Sequence, residues 1–234
     1  MIGDTITATL YATKDGVLYI GDTVEYSVKQ YCYNMLSTYN DVDYPSAAYG
    51  ELRTLLVDLL NYGAAAQQYT GYNTDALVNA QLVDKQLDWA TAEDPAVSKD
   101  AVAESADLDA PAVQWAASGL VLDEAVTVRL GFTAESTEGL CVKFTLAGRT
   151  YEVTDFKAMT DKENGWYVYF DELNAAQMRD VITATVYQNG QQVSNTASYN
   201  VEAYVASHAS DGDALGSLVK ALIRYGDAAE AVAN

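Results

Sequence analysis

The sequence predicts an α+β chain: a small β-sandwich combined with two related units, each a β-hairpin followed by a helical hairpin. Three observations carry that expectation. Leucines and alanines recur at steps of three and four over residues 47–70 and again after residue 214, the spacing of a helix with one buried face. Alternating apolar runs rich in Val, Thr, Phe and Tyr fill 125–199, as short strands in series do. Three strings also appear twice in the same order: ITATLY (6–11) with ITATVY (182–187), YSVKQY (26–31) with YNVEAY (199–204), and LRTLLVDLLNYGAAAQ (52–67) with LGSLVKALIRYGDAAE (215–230).

In chain order, TITATLY (5–11) and LYI (18–20) flank the turn pair Asp15-Gly16 and read as a hairpin. From Tyr26 the period lengthens to that of a helix, which DVDYPSA (41–47) breaks because Pro45 restricts Tyr44 and removes a donor. The clearest helix follows over Ala47–Thr70, with Gly63 placed among alanines where a neighbour can approach. After Gly71 the stretch NTDALVNAQLVDKQL predicts a further helix capped by Asn73 or Thr74.

Pro95 and Pro111 punctuate an acidic, alanine-rich stretch that reads as a connector tied down by Trp89 or Trp115. The expected organisation is therefore a truncated repeat unit over 1–90, a connector over 91–118, and the sandwich with its C-terminal helices over 119–234. Strands are expected in AVTVRLGFTA, GLCVKFTLAG, RTYEVTDFKAM, WYVYF and VITATVY, the last turning through Asn189-Gly190 into QQVSNTASY. DELNAAQMRD reads as a single helical turn between strands. Ser210 with Asp213 resembles a capping box for the final helix. The first hairpin has almost no strand before it, so its edge needs pairing by a strand of the second unit or by residues outside this sequence. Met1 directly before a strand-like segment resembles the edge of an excised fragment.

The 33 acidic against 13 basic residues, a net charge of −20, disfavour nucleic acid and anionic lipid as partners. No apolar run approaches the roughly 18 residues of a membrane span, and the amino terminus lacks the basic-then-apolar pattern of a signal peptide. Cys32 and Cys141, the two cysteines, both sit in apolar contexts and are expected to be buried free thiols.

Catalytic chemistry has little to stand on. His208 is the single histidine, there is no GxSxG, and no glycine-rich phosphate loop follows a strand. Acidic pairs such as Asp123/Glu124 and Asp171/Glu172 have the chemistry of a glycoside hydrolase but sit in no barrel or cleft pattern. The expectation is a noncatalytic chain without a resident cofactor. Calcium is the metal whose oxygen-ligand chemistry fits, with Asp41 and Asp43 as its candidate ligands; DKEN (161–164) and DGD (211–213) are weaker. For a carbohydrate, the candidates are Tyr167 and Tyr169, which share one face of a strand, and Tyr69 and Tyr72 near a helix end, with Tyr39 and Tyr44 at the neighbouring break.

The YSVKQY, LLNYGAAAQ and RYGDAA strings resemble a module repeated in large secreted surface proteins of gut Firmicutes, where it accompanies bacterial Ig-like repeats, cell-wall attachment signals or dockerins. The resemblance covers 26–80 and 181–232, with the Ig-like part over 119–205, and carries over no functional residue. It implies an extracellular or cell-wall-attached structural or adhesion segment, flanked by other domains of a parent chain, with a host or bacterial surface protein or a glycan as partner. A carbohydrate-binding module is the alternative, and a glycoside hydrolase a more distant one.

Overall fold

The computed structural model describes residues 2–38, 47–123 and 125–234, the side chains of Ala47 and Ala48 excepted. The chain is α+β and divides into two compact units, Met1–Asp94 with Ala231–Asn234, and Pro95–Glu230.

In the first unit, β1 (Ile6–Lys14) and β2 (Val17–Tyr26) form an antiparallel sheet of two strands. Asp15 and Gly16 both take positive φ, 52° and 78°, which matches the turn twist to the strand twist. Ile6 pairs with Tyr26 and Ala8 with Val24 on one face; Thr7 pairs with Glu25 and Thr9 with Thr23 on the other. The chain then enters α1 (Val28–Thr38), whose start is capped by Ser27 Oγ accepting from the Gln30 N–H at 3.0 Å. α2 (Ala47–Thr70) ends where Gly71 turns left-handed (φ 71°), with the Tyr72 N–H donating to the Gln67 carbonyl at 3.1 Å. Cys32 and Leu36 of α1 pack with Leu56, Val57, Leu60 and Ala64 of α2 and with Val78 to make this unit's core.

Residues 73–87 do not form the expected single helix. They hold one 3-10 turn at Thr74–Ala76 and the one-turn helix α3 (Asp84–Leu87), and Asn73 sits left-handed without capping through its side chain. Two polar anchors hold the backbone elsewhere. Gln67 accepts from the Val78 N–H at 2.8 Å and donates to the Asn73 carbonyl, while the Tyr33 hydroxyl donates to the Val78 carbonyl at 2.8 Å. Buried Asp58 accepts from the Thr91 hydroxyl at 2.6 Å, and Trp89 lies under the Arg53 guanidinium.

The second unit contains β3 (Ala103–Glu104), β4 (Gln114–Leu122), β5 (Val126–Thr133), β6 (Leu140–Leu146), β7 (Arg149–Val153), β8 (Lys157–Ala158), β9 (Gly165–Phe170), β10 (Ile182–Gln188), β11 (Gln191–Gln192) and β12 (Ala197–Tyr199). The helices α4 (Val201–His208) and α5 (Ala214–Ala233) follow, α5 belonging to this unit as far as Glu230. Part of 91–118, expected as connector, is thus strand: β3 and the first half of β4. Its acids and alanines conceal an edge strand, and the Trp115 indole ties it to the Asn195 carbonyl at 2.8 Å.

One sheet runs β4–β5–β9–β8 and the other β3–β12–β10–β6–β7, with β11 also on β10; the pairings are antiparallel throughout. Alternation gives each a dry face: Val128, Leu130, Phe132, Val168 and Phe170 on the first, Val142, Phe144, Ile182, Ala184 and Val186 on the second. Phe144 stacks on Phe170 with ring centroids 4.8 Å apart, joining the two layers. The same alternation turns Cys141 outward, so it is half-buried rather than buried, while Cys32 is fully enclosed; both thiols are free. Asp213, not Ser210, caps α5, its carboxylate accepting from the Gly216 N–H at 2.9 Å. Gly216 excludes an acidic side chain reaching back from the first turn, because even a Cβ there would strike the Asp211 carbonyl.

The repeated strings occupy equivalent structural positions. Ile182 pairs with Tyr199, Thr183 with Ser198 and Ala184 with Ala197, the register of Ile6–Tyr26, Thr7–Glu25 and Ala8–Val24. Asn200 caps α4 through the Ala203 N–H at 2.9 Å, as Ser27 caps α1. Four residues before each hairpin, Ile2 and Met178 accept at their carbonyls from the Lys29 and Glu202 N–H groups, at 2.9 and 3.3 Å. The same two side chains rest on the glycines of the repeated Tyr-Gly phrase. A Cβ on Gly63 would lie 2.7 Å from Ile2 Cγ1, and one on Gly226 2.7 Å from Met178 Cγ.

Candidate functional site

β9 alternates so that Trp166, Val168 and Phe170 face the dry side and Tyr167 and Tyr169 the outer side. Tyr167 pairs directly with Gly131 of β5, and the missing side chain there makes room for its ring; a Cβ would meet Tyr167 Cε1 at 3.3 Å and Ala117 Cβ at 3.1 Å. The two rings are 6.4 Å apart and inclined at 59°, so they form a pair of facets rather than one flat platform. The Arg129 guanidinium stands 4.7 Å from the Tyr167 ring centre and the Lys157 ammonium 4.9 Å from that of Tyr169. The result is a half-exposed cluster of two aromatic rings and two cations on an otherwise strongly acidic protein. It offers ring faces to apolar C–H surface and N–H donors to hydroxyl or carboxylate oxygens.

Tyr69 and Tyr72 fall in the other unit, either side of the Gly71 turn, and both are exposed. The Tyr72 hydroxyl donates to Asp4 Oδ1 at 3.3 Å, beside a small polar cavity of about 160 Å³ lined by Asp4, Lys29, Gln67, Tyr72 and Asn73. The sequence-predicted tyrosines therefore fall in two different units, and Tyr167/Tyr169 is the pair whose rings the structure brings together. Asp41, Asp43, Tyr39 and Tyr44 lie outside the described residues. Among the described residues, no three His, Cys, Asp or Glu side chains converge to hold a metal ion. Nor is any helix among them long and apolar enough to cross a membrane.

His208 has a local role. Its ring stacks on Tyr204 at 4.1 Å and its Nδ1 lies 2.9 Å from the Tyr204 carbonyl, within the last turn of α4. Glu172 lines an open polar cavity of about 470 Å³ together with Arg149, Tyr151, Asn174 and Gln177.

A cluster of ion pairs centred on Arg179 escaped the sequence reading. Arg179 donates to both carboxylate oxygens of Asp227, at 2.6 and 2.9 Å, to Glu202 Oε1 at 2.8 Å and to the Ala96 carbonyl at 3.1 Å. The Asp227 hydrogen bonds, followed by the neighbouring charges, hold the guanidinium further into its charged form. Glu202 also accepts from the Ser98 N–H, so the cluster ties the chain near 96–98 to α4 and α5. Asp227 occupies the variable position of the Tyr-Gly-x-Ala-Ala phrase, where the first copy has buried Ala64. No local pattern joins an arginine to an aspartate 48 residues away.

Comparison with known protein families, with characterised proteins and with solved structures found no match for this chain.

Proposed function

We propose that the chain is a noncatalytic structural and adhesion module of an extracellular bacterial surface protein, acting by noncovalent recognition. The observation that carries this reading is the reuse of one hairpin-and-helix unit with the same register, the same helix cap and the same glycine contact. Repetition of a packing unit is how extended scaffolds are built. The sheets of the second unit support an Ig-like reading of that part. Taking β4, β5, β6, β7, β8, β9, β10 and β12 as strands A, B, C, C′, D, E, F and G makes their orders A-B-E-D and G-F-C-C′, those of an immunoglobulin-type sandwich. The extracellular placement rests on the resemblance of the repeated strings to surface-protein modules.

The Arg129–Tyr167–Tyr169–Lys157 cluster favours a second reading, a carbohydrate-binding module, with a preference for sugars carrying carboxylate groups. One experiment separates the two. Labelled protein is titrated onto epithelial and bacterial cells pretreated with protease or with glycosidases, with and without calcium. Saturable binding lost after protease treatment is expected for adhesion to a protein. Loss after glycosidase treatment, together with loss in Tyr167→Ala, would transfer the assignment to glycans. Absence of saturable binding on every surface would refute both.

A further inference from the structure

The β1–β2 hairpin exposes what its counterpart buries. Ile6 and Leu10 are 70% and 74% exposed, while the equivalent Ile182 and Val186 are 1% and 0% exposed. Tyr26 is 49% exposed and Tyr199 3%. In the second unit two partners account for that burial. β6 hydrogen-bonds along the edge of β10 from Thr183 to Gln188, and the facing sheet covers the side chains. By the repeat correspondence the matching edge of β1 runs from Thr7 to Ala12, in a sheet that among the described residues ends with β1 and β2. An edge with open N–H and C=O groups beside alternating apolar side chains is a template for another strand.

We infer that this edge receives an antiparallel strand of β6 chemistry, apolar at alternate positions, from a separate sheet-forming polypeptide. The second unit supplies the template for register: Thr7 opposite the position of Thr145, Ala8 opposite Phe144, Leu10 opposite Val142 and Ala12 opposite Leu140. The incoming Phe and Val side chains would then lie on the Ile6–Ala8–Leu10 face, as Phe144 and Val142 lie with Ile182, Ala184 and Val186. The inference stands apart from the cell-surface reading, because it rests on register and exposure and on no assignment of location.

The test uses the full chain and a synthetic peptide with the sequence of residues 138–148, its cysteine replaced by serine, read by amide hydrogen exchange. Excess peptide should slow exchange of the Thr7, Thr9 and Tyr11 amides, which face the open edge, at least tenfold while leaving β10 unchanged. A peptide carrying proline at the position of Lys143, whose N–H faces the receiving edge in the β6–β10 template, should give no protection. Leu10→Lys, at an exposed position that the fold tolerates, should abolish it. Unaltered β1 exchange at the highest soluble peptide concentration would overturn the inference. So would β1 protection that grows with protein concentration alone, because the occupant would then be a second copy of this chain.

Discussion

Gly226→Ala puts the packing role of the repeated glycine to a signed test. In mid-helix the substitution alone should stabilise by about 1 kcal/mol through helix propensity. Against this, the new Cβ would lie 2.7 Å from Met178 Cγ, 3.0 Å from Met178 Cβ and 3.3 Å from the Ala175 carbonyl. The atoms struck belong to the stem of a buried side chain and to backbone, so relief requires the turn before β10 or α5 itself to move. Overpacking of this kind costs about 1–3 kcal/mol, leaving a net loss of about 1 kcal/mol. For a unit of this size that corresponds to a fall of about 3–5 °C in midpoint temperature. The decisive comparison is with Met178→Ala as background. Removing Cγ opens the space, so Gly226→Ala should there become neutral or stabilising, a coupling of about 1–2 kcal/mol in a double-mutant cycle. Thermal unfolding followed by tryptophan fluorescence in a Trp89→Phe background, where Trp115 and Trp166 are the emitters, reports on the second unit. Stabilisation by Gly226→Ala in the unmodified background, or an effect that Met178→Ala leaves unchanged, would refute the close-contact reasoning.

Arg179→Ala would leave the partly buried carboxylates of Asp227 and Glu202 facing each other, and should cost about 1–3 kcal/mol in denaturant titration, between the exposed and buried limits for ion pairs. Arg179→Lys should recover only part of this, because an ammonium cannot reproduce the two-point contact with Asp227. The thiols should separate by reactivity: Cys141 labels first with a thiol reagent near pH 8, while Cys32 labels only on unfolding. Burial pushes Cys32 up to about 11 from 9.0, so its neutral form contributes stability fully present below pH 9 and lost as pH rises toward 11. Alkaline melting of the native protein should be steeper over that window than melting of Cys32→Ala. Asn200→Ala removes the cap of α4 and should lower stability by about 1 kcal/mol, with Ser27→Ala producing a like effect in the first unit, both read from the urea midpoint.

The elements with a strong local period were legible in the sequence. α2 matches its expected Ala47–Thr70 bounds, and the alternation of WYVYF assigned the two faces of β9. Asp15-Gly16 likewise marked its turn through residue chemistry alone. The 73–87 stretch misled because its Ala, Leu and Val content imitates helical spacing, whereas Gln67 and Tyr33 hold the local carbonyls and N–H groups in turns. β4 was obscured because the edge strand carries exposed alanines and serine, which read as linker until a neighbouring strand defines them. At the candidate site the tyrosine pair was visible from alternation, but its cations were not. Arg129 is 38 positions from Tyr167 in a strand whose pairing no local pattern specifies, and the opening at Gly131 that admits the ring has the same origin.

The two copies separate what the unit itself requires from what its surroundings require. Register, cap, the carbonyl bond from Ile2 or Met178, and the glycine beneath that side chain recur despite changes of residue at several of these positions. They are local contacts, so each copy can satisfy them alone. Burial of the strand face does not recur, although Ile stands at 6 and 182 and Tyr at 26 and 199. Val28 and Val201 repeat the contrast, exposed in one copy and enclosed in the other. Identical apolar side chains with opposite exposure are not explained by the part of the hairpin that the two copies share, the register of Ile6–Ala8 and Ile182–Ala184. The difference lies in the layer opposite, present in the second unit as β5 and β9 and beside it as β6. An apolar face kept at Ile6, Ala8 and Leu10 is therefore the imprint of a covering layer on the first hairpin, and its strand chemistry is already written in the second.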